Sequence, residues 1–432
     1  MTRANFPLNR REFLIGLGTS TLAGLAASQV AAQSRIAMRA QASGIALRNG
    51  SPEAAVWSLG APELRFRRGE TATFDLGNDL PAAVVLNWRG LDGVPAVEPL
   101  TARRPLAPGA QESVAIPLRR AGTLLCDMSL LAGDRPSRPH AVVVQEGEAV
   151  AVERDEALLI EEWRVRPDGT AIAPGVDPKE TMVSYTLNGK PSLDVSARSN
   201  ERLRLRFING SPRTVIALKL ESVAVTVMAI DSQPAEPFLA RNGTLLLAPG
   251  SRVDAFVDVT APPGSNLKIL LHEGREARTI GFVIVSRDPP ARAAPLPPPP
   301  PLPSNGLPAQ LDLKNALRVD LPLGGPSAEW VAPSSFAPTA PPVFRAKAGR
   351  IVVLALTNRN PIPTVFHLHG HHFRLLDRLD DGWKPFWLDT LAIEPGQTQR
   401  IAFAAEYAGR WLLESVAADW AAPRLVRWYA VE

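Results

Sequence analysis

The sequence predicts an all-β protein made of three consecutive β-sandwiches. Short apolar runs of strand length recur along the chain, separated by Gly, Pro, Asn and Asp. No helical apolar period is sustained over a comparable length. Prolines number 42 in 432 residues, which disfavours long helices and suits short strands joined by turns. A chain of this length is also too long for one ordinary core.

Residues 1–32 read as a twin-arginine signal peptide. Arg10 and Arg11 precede a Gly/Ala-rich apolar run from Leu14 to Ala27, and Val30-Ala31-Ala32 offers a small-residue cleavage site. The run is too short and too weakly apolar for a firm membrane span, although an uncleaved anchor is the alternative. Such a signal implies export in the folded state and a periplasmic protein that starts near Gln33.

The first sandwich is placed at 33–150. LRFRRGETATFDL (64–76) alternates apolar and polar residues on both sides of a Gly turn, and SVAIPL (113–118) repeats the texture. The second, at 155–288, contains LLIEEWRV (158–165), RLRLRFI (202–208) and LLLAPGSRVDAFVDV (245–259). Arg202, Arg204 and Arg206 alternate there and read as one polar strand face. Residues 289–308 form a Pro-rich linker; ten prolines within 288–308 cannot join a sheet and predict a stiff polyproline segment. The third sandwich, at 309–432, carries IVVLALTN (351–358) and QRIAFAAE (399–406).

Composition narrows the function classes. Hydrophobic residues are 45% and charged residues 21%, as in soluble globular proteins. Arg3, Arg10 and Arg11 against Glu12 carry +2 of the formal +4, so the mature chain lacks the concentrated basic surface of a nucleic-acid binder. A single cysteine, Cys126, excludes an internal disulfide and reads as a small buried hydrophobe. There is no Gly-rich phosphate loop, no Gly-x-Ser-x-Gly elbow and no Cys-x-x-Cys.

The first and third pieces repeat one another. GETATFDLGNDLPAAVVLNWRGLDG and LAPGAQESVAIPLRRAGTLLCDMSL match GRIVVLALTNRNPIPTVFHLHGHHF and IEPGQTQRIAFAAEYAGRWLLESV in the order of Gly, strand, Asn, Pro, motif, Pro-Gly and strand. On these motifs the chain resembles the multicopper oxidases, whose fold is three Greek-key cupredoxin sandwiches. Asn87-Trp88-Arg89-Gly90 stands where the family has His-Trp-His-Gly. Gly122-Thr123-Leu124-Leu125-Cys126-Asp127-Met128-Ser129 stands for Gly-Thr-x-Trp-Tyr-His-Ser-His. His367-Leu368-His369-Gly370-His371 is retained, and Glu414-Ser415-Val416 stands for His-Cys-His.

The resemblance implies a three-copper cluster held by four His-x-His pairs, each with both side chains on one strand face. Here the pairs read Asn87 and Arg89, Asp127 and Ser129, His367 and His369, Glu414 and Val416. Two of eight ligands remain, and Arg89 puts a permanent positive charge where a cation would sit. The blue-copper positions read Thr364, Ser415, Trp420 and Leu425, with no thiolate. Arg89 is therefore expected between Asp127 and Glu414, in place of the metal charge. A zinc, manganese or iron site built from the histidines and carboxylates is the rival reading, and requires Arg89 to swing away.

The HLHGHH run, with His367, His369 and His371 expected on one face, has three readings: a structural remnant, a weak copper or zinc site, or a working metal. No cofactor is expected unless the family's copper chemistry survives. The chain as a whole is expected to be a non-catalytic periplasmic binding or structural protein with unidentified protein partners. It is similar in signal, fold and ligand loss to a copper-free family member tied to cell division and envelope protection. The alternative is a copper-dependent oxidoreductase.

Overall fold

In the computed structural model, residues 33–273, 276–325, 329–377 and 382–432 are described. The proposed signal, with Arg10 and Arg11, lies outside them. The protein is almost entirely β, and the described residues hold only short 3-10 turns such as Pro95–Val97 and Pro333–Ser335. No helix among them is long and apolar enough to cross a membrane.

Six sheets come in three pairs, and each pair repeats one wiring. In the first sheet of each pair an opening strand runs parallel to a later one: Gln33–Ile45 with Thr71–Asn78, Arg154–Val165 with Arg202–Asn209, Leu317–Leu323 with Ile351–Asn358. Each later strand then pairs antiparallel with Gln111–Pro117, Arg252–Asp258 or Thr398–Ala404. The repeat read from the first and third pieces thus includes the middle one.

One local device recurs in all three. Asn78, Asn209 and Asn358 end equivalent strands, each three residues before a proline. Each side chain is fully buried and staples its loop: Nδ2 donates to Ala82 and Leu106, to Thr214 and Leu247, or to Ile362 and Ile393. Each asparagine carbonyl also accepts from the glycine of a Pro-Gly turn, Gly109, Gly250 or Gly396. Those glycines sit at φ of 74°, 84° and 71°, which side-chain-bearing residues resist.

Alternation builds the cores. Leu203, Leu205 and Phe207 enter the middle core, with Leu218, Leu271 and Val283. The opposite face of that strand holds Arg202, Arg204 and Arg206, and it is buried rather than solvated. Arg202 pairs with Asp258, Arg204 with Glu146 and Asp254, and Arg206 with Asp155 and Asp254. Asp254, the acid that Arg204 and Arg206 share, lies in the strand Arg252–Asp258.

The Pro-rich segment joins no sheet, yet it is fastened at several points rather than spanning free space. Arg202 donates to the Pro297 carbonyl and Arg68 to the Ser304 carbonyl. Leu302 is buried, and buried Asn305 exchanges hydrogen bonds with the Ala121 backbone. Polyproline backbone leaves its carbonyls unpaired, so it makes a good acceptor strip for guanidinium groups.

Candidate functional site at the sandwich junction

Two antiparallel strand pairs face each other across the first and third sandwiches. In the first, Val84–Arg89 pairs with Gly122–Leu130 so that Asn87 opposes Asp127 and Val85 opposes Ser129. Directly opposed residues share a face, so Asn87, Arg89, Asp127 and Ser129 project together. In the third, His367 opposes Glu414, Glu414 opposes Val426, and Val416 opposes Arg424. His367, Glu414, Val416 and Arg424 therefore share the facing side.

Arg89 is the centre of what meets there. Its Nε donates to Asp127 at 2.8 Å and its Nη2 to Glu414 at 2.7 Å. Both acids lie on either side of the guanidinium, as the sequence reading required. Asp127 also accepts from Asn87 Nδ2 at 2.8 Å and from Arg424 Nη1 at 3.0 Å. Arg424 Nη1 reaches Ser129 Oγ at 2.6 Å as well. Burial opposes every one of these charges, but the pairing outweighs it. Arg424 and Arg89 hold the Asp127 carboxyl well below the usual range, and Glu414 and Asp127 hold Arg89 above its own.

The four clustered histidines separate. His367 and His369 stay together, with ring centroids 4.9 Å apart. His367 Nδ1 lies 2.8 Å from Thr390 Oγ1; burial and the Arg89 charge push this imidazole well below its usual value, so it is neutral. His369 Nδ1 lies 2.8 Å from Glu98, while Nε2 is 3.4 Å from Glu414, too long for a well-formed hydrogen bond. Burial opposes its charge, but Glu98 and Glu414 prevail and hold it up at about 10.

Gly370, at φ 74°, then turns the chain, and His371 does not share the face of the other two as alternation had suggested. Its ring packs among Phe403, Tyr407, Trp411 and Tyr429. The Tyr429 hydroxyl donates to the His369 carbonyl, and the Tyr407 N–H donates to His371 Nε2. That leaves Nδ1 as the donor to Tyr429 and the ring neutral, in keeping with a value that burial pulls down to about 4. His372 sits between Asp92 at 2.8 Å and the Asp231 carbonyl at 2.6 Å.

Three of the four blue-copper positions share the other face of the third-sandwich sheet. Ser415 opposes both Phe366 and Leu425, and Thr364 lies two residues from Phe366. Thr364 donates to Asn358, and both Thr364 and Ser415 are buried. Trp420 does not join them. It lies beyond the strand, lines the cavity on the Arg89 side and donates its Nε1–H to the Ala173 carbonyl of the middle sandwich. A turn residue's direction is not set by strand alternation.

That cavity has a volume of about 510 Å³ and walls from all three sandwiches, including Arg89, Asp127, Arg213, His367, Glu414 and Arg424. Sequence reasoning missed Arg424, Glu98 and Arg213. Arg424 had a signal, since alternation carries it to the face opposite Leu425. Glu98 and Arg213 come from loops and had none.

Residues 310–432 and 153–276 match two descriptions of the multicopper oxidase family. The chain belongs to the multicopper oxidase family. A multicopper oxidase of Mycobacterium tuberculosis, MmcO, is 23% identical over 82% of this chain and 78% of its own length. Laccase-6 of rice (Oryza sativa subsp. japonica) is 24% identical over 47% of this chain; the match spans 39% of that laccase, about two fifths of its length. A multi-copper oxidase structure from Pseudomonas thermotolerans superposes with a TM-score of 0.73 at 22% identity, over 93% of this chain and all of that one. Lac15 from a marine microbial metagenome gives 0.74 at 22% identity, over the same shares.

The donor set at the junction does not fit the copper cluster of a multicopper oxidase. A guanidinium stands between the carboxylates and is paired with both, and Asp127 also accepts from Arg424 and Asn87. Of the two remaining imidazoles, His369 is held protonated and so offers no lone pair. Among the described residues, no group of three or more His, Cys, Asp or Glu is arranged to hold a metal ion.

Proposed function

We propose that this multicopper-oxidase-fold protein is non-catalytic: an exported periplasmic binding or structural protein whose copper centre has become a buried ion-pair network. The observation that carries this reading is Arg89 bridging Asp127 and Glu414 at the strand positions where the family places imidazoles. A guanidinium cannot be deprotonated at working pH, so a cation entering that space would face a fixed positive charge. Ser415 in place of a thiolate removes the blue-copper ligand and, with it, the entry route for electrons.

Export through the twin-arginine route rests on Arg10 and Arg11, and the sandwich limits at 33–150, 155–288 and 309–432 remain our reading. A role in cell division or envelope stress, with protein partners, follows by analogy with the copper-free relatives. No nucleic-acid partner is expected.

One observation favours a second reading. Neither His367 Nε2 nor His369 Nε2 makes a hydrogen bond among the described residues, and the rings are adjacent. A weak copper or zinc site could form there if His369 lost its proton. The copper-dependent oxidoreductase implied by the family name is the remaining alternative.

Metal analysis of the purified mature chain after copper loading, with visible spectroscopy and oxygen consumption on a phenol, separates the three. The proposal expects no stoichiometric metal, no blue band and no oxygen uptake. About one colourless ion supports the histidine site. Three or four coppers with a blue band and turnover overturn the proposal.

A further inference from the structure

The charges around the junction cavity do not cancel. Asp127 and Glu414 are shared by Arg89 and Arg424. Glu161 and Glu162, also in the wall, are taken by Arg138 and Arg164. Arg213 is left over. It is only 5% exposed, lines the cavity, and has no carboxylate within ion-pair distance among the described residues. Its Nε donates to the Ala422 carbonyl at 3.0 Å and its Nη1 to the Pro212 carbonyl at 2.8 Å, while Nη2 has no hydrogen-bond partner among the described residues. Two carbonyls on successive nitrogens fix the plane of the guanidinium and leave its outer edge free.

An unpaired buried charge is unfavourable by several kcal/mol unless something neutralises it. Here the strain is felt in the group itself: burial, and then the neighbouring Arg424 charge, pull Arg213 down to about 9. A second donor stands in the same wall. Ser129 Oγ accepts from Arg424, so its own O–H proton is free to be given to something in the cavity. Exposed Arg135 adds positive charge to the wall. The volume of about 510 Å³ suits a small molecule.

We infer that the junction cavity is an anion site, and that it binds a small molecule bearing a carboxylate or phosphate group through Arg213 Nη2 and the Ser129 hydroxyl. The family places a metal cation at this junction; here Arg89 and Arg424 offset the two carboxylates that stand at ligand positions, Arg213 adds a positive charge beyond them, and a guanidinium edge is a good match for a planar carboxylate or a phosphate. The inference rests on the reading that the junction holds no metal, and it names the ligand class for the binding role proposed above.

Inorganic phosphate and succinate are the probes, titrated calorimetrically into the mature, metal-free chain at low ionic strength, with thermal unfolding followed in parallel. At least one should bind one-to-one and raise Tm; which of them does so distinguishes a phosphate from a carboxylate ligand. Arg213→Met should weaken binding at least tenfold with the far-UV spectrum unchanged, and Arg213→Lys should keep most of it. Ser129→Ala, which spares the buried charges, should weaken binding several-fold and serves if Arg213→Met fails to fold. Arg35→Gln, a surface change far from the cavity, should have no effect. The inference is overturned if the wild type binds neither probe, or if both Arg213→Met and Ser129→Ala bind as the wild type does. Stoichiometric copper would instead overturn the functional proposal, so the two failures are distinguishable.

Discussion

Two buried arginine clusters in this protein differ in one respect. On the middle sandwich, Arg202, Arg204 and Arg206 face Asp258, Glu146, Asp254 and Asp155, with Arg65 adding a fourth cation at 3.7 Å from Asp155. Each cation has an acid and each acid a cation. At the junction, Arg89, Arg424, Arg213 and the His369 imidazolium face only Asp127, Glu414 and Glu98. A closed network stabilises an interface without calling for a ligand. An open one marks a place where something else is expected to bind. The difference lies in the count of partners, not in the residue types.

Breaking the closed cluster should have the largest effect. Asp254→Asn removes the acid shared by Arg204 and Arg206 and leaves a Thr123 hydroxyl donor facing an amide. Urea unfolding should show a loss of about 3–5 kcal/mol. Glu414→Gln at the junction should lose less, about 3 kcal/mol, because Arg89 keeps Asp127 and His369 keeps Glu98.

The pH dependence separates the clusters next. His369 is raised from an ordinary value near 6.5 to about 10. Folding then binds a proton that the unfolded chain has lost, so its contribution is complete below about pH 6.5 and disappears as pH rises towards 10. Stability should fall by about 3 to 4 kcal/mol between pH 6.5 and 9.5, measured by urea midpoint, and His369→Gln should flatten that decline. A decline that persists unchanged in the variant would place its source elsewhere.

The smallest effect has the opposite sign. Arg213→Met removes an unpaired buried charge, so in ligand-free buffer its stability should be unchanged or raised by about 1 kcal/mol. A loss of several kcal/mol would mean that Arg213 has a partner in the folded protein, and the contrast between closed and open clusters would fail.

Much of the junction was legible in the sequence. Strand alternation put Asn87 with Arg89, Asp127 with Ser129 and Glu414 with Val416 on common faces, because period two is fixed by the pleat. The position of Arg89 between two acids followed from the penalty on a lone buried charge. What failed did so where alternation stops. His371 leaves the shared face at Gly370, and Glu98 and Arg213 arrive from loops. The arginines at 202, 204 and 206 were seen as a polar face, but nothing local tells whether a polar face meets water or another sandwich.

By itself the sequence determined the all-β class, the repeat shared by the first and third pieces, and the substitution of copper ligands by charged and polar groups. These are local properties: backbone propensity, pleat periodicity and side-chain chemistry act over a few residues. The tertiary structure alone decided which charges share a dry space and which one remains unmatched. That is set by distances between residues hundreds of positions apart, such as the 2.7 Å from Arg89 to Glu414, and only the packed sandwiches fix them.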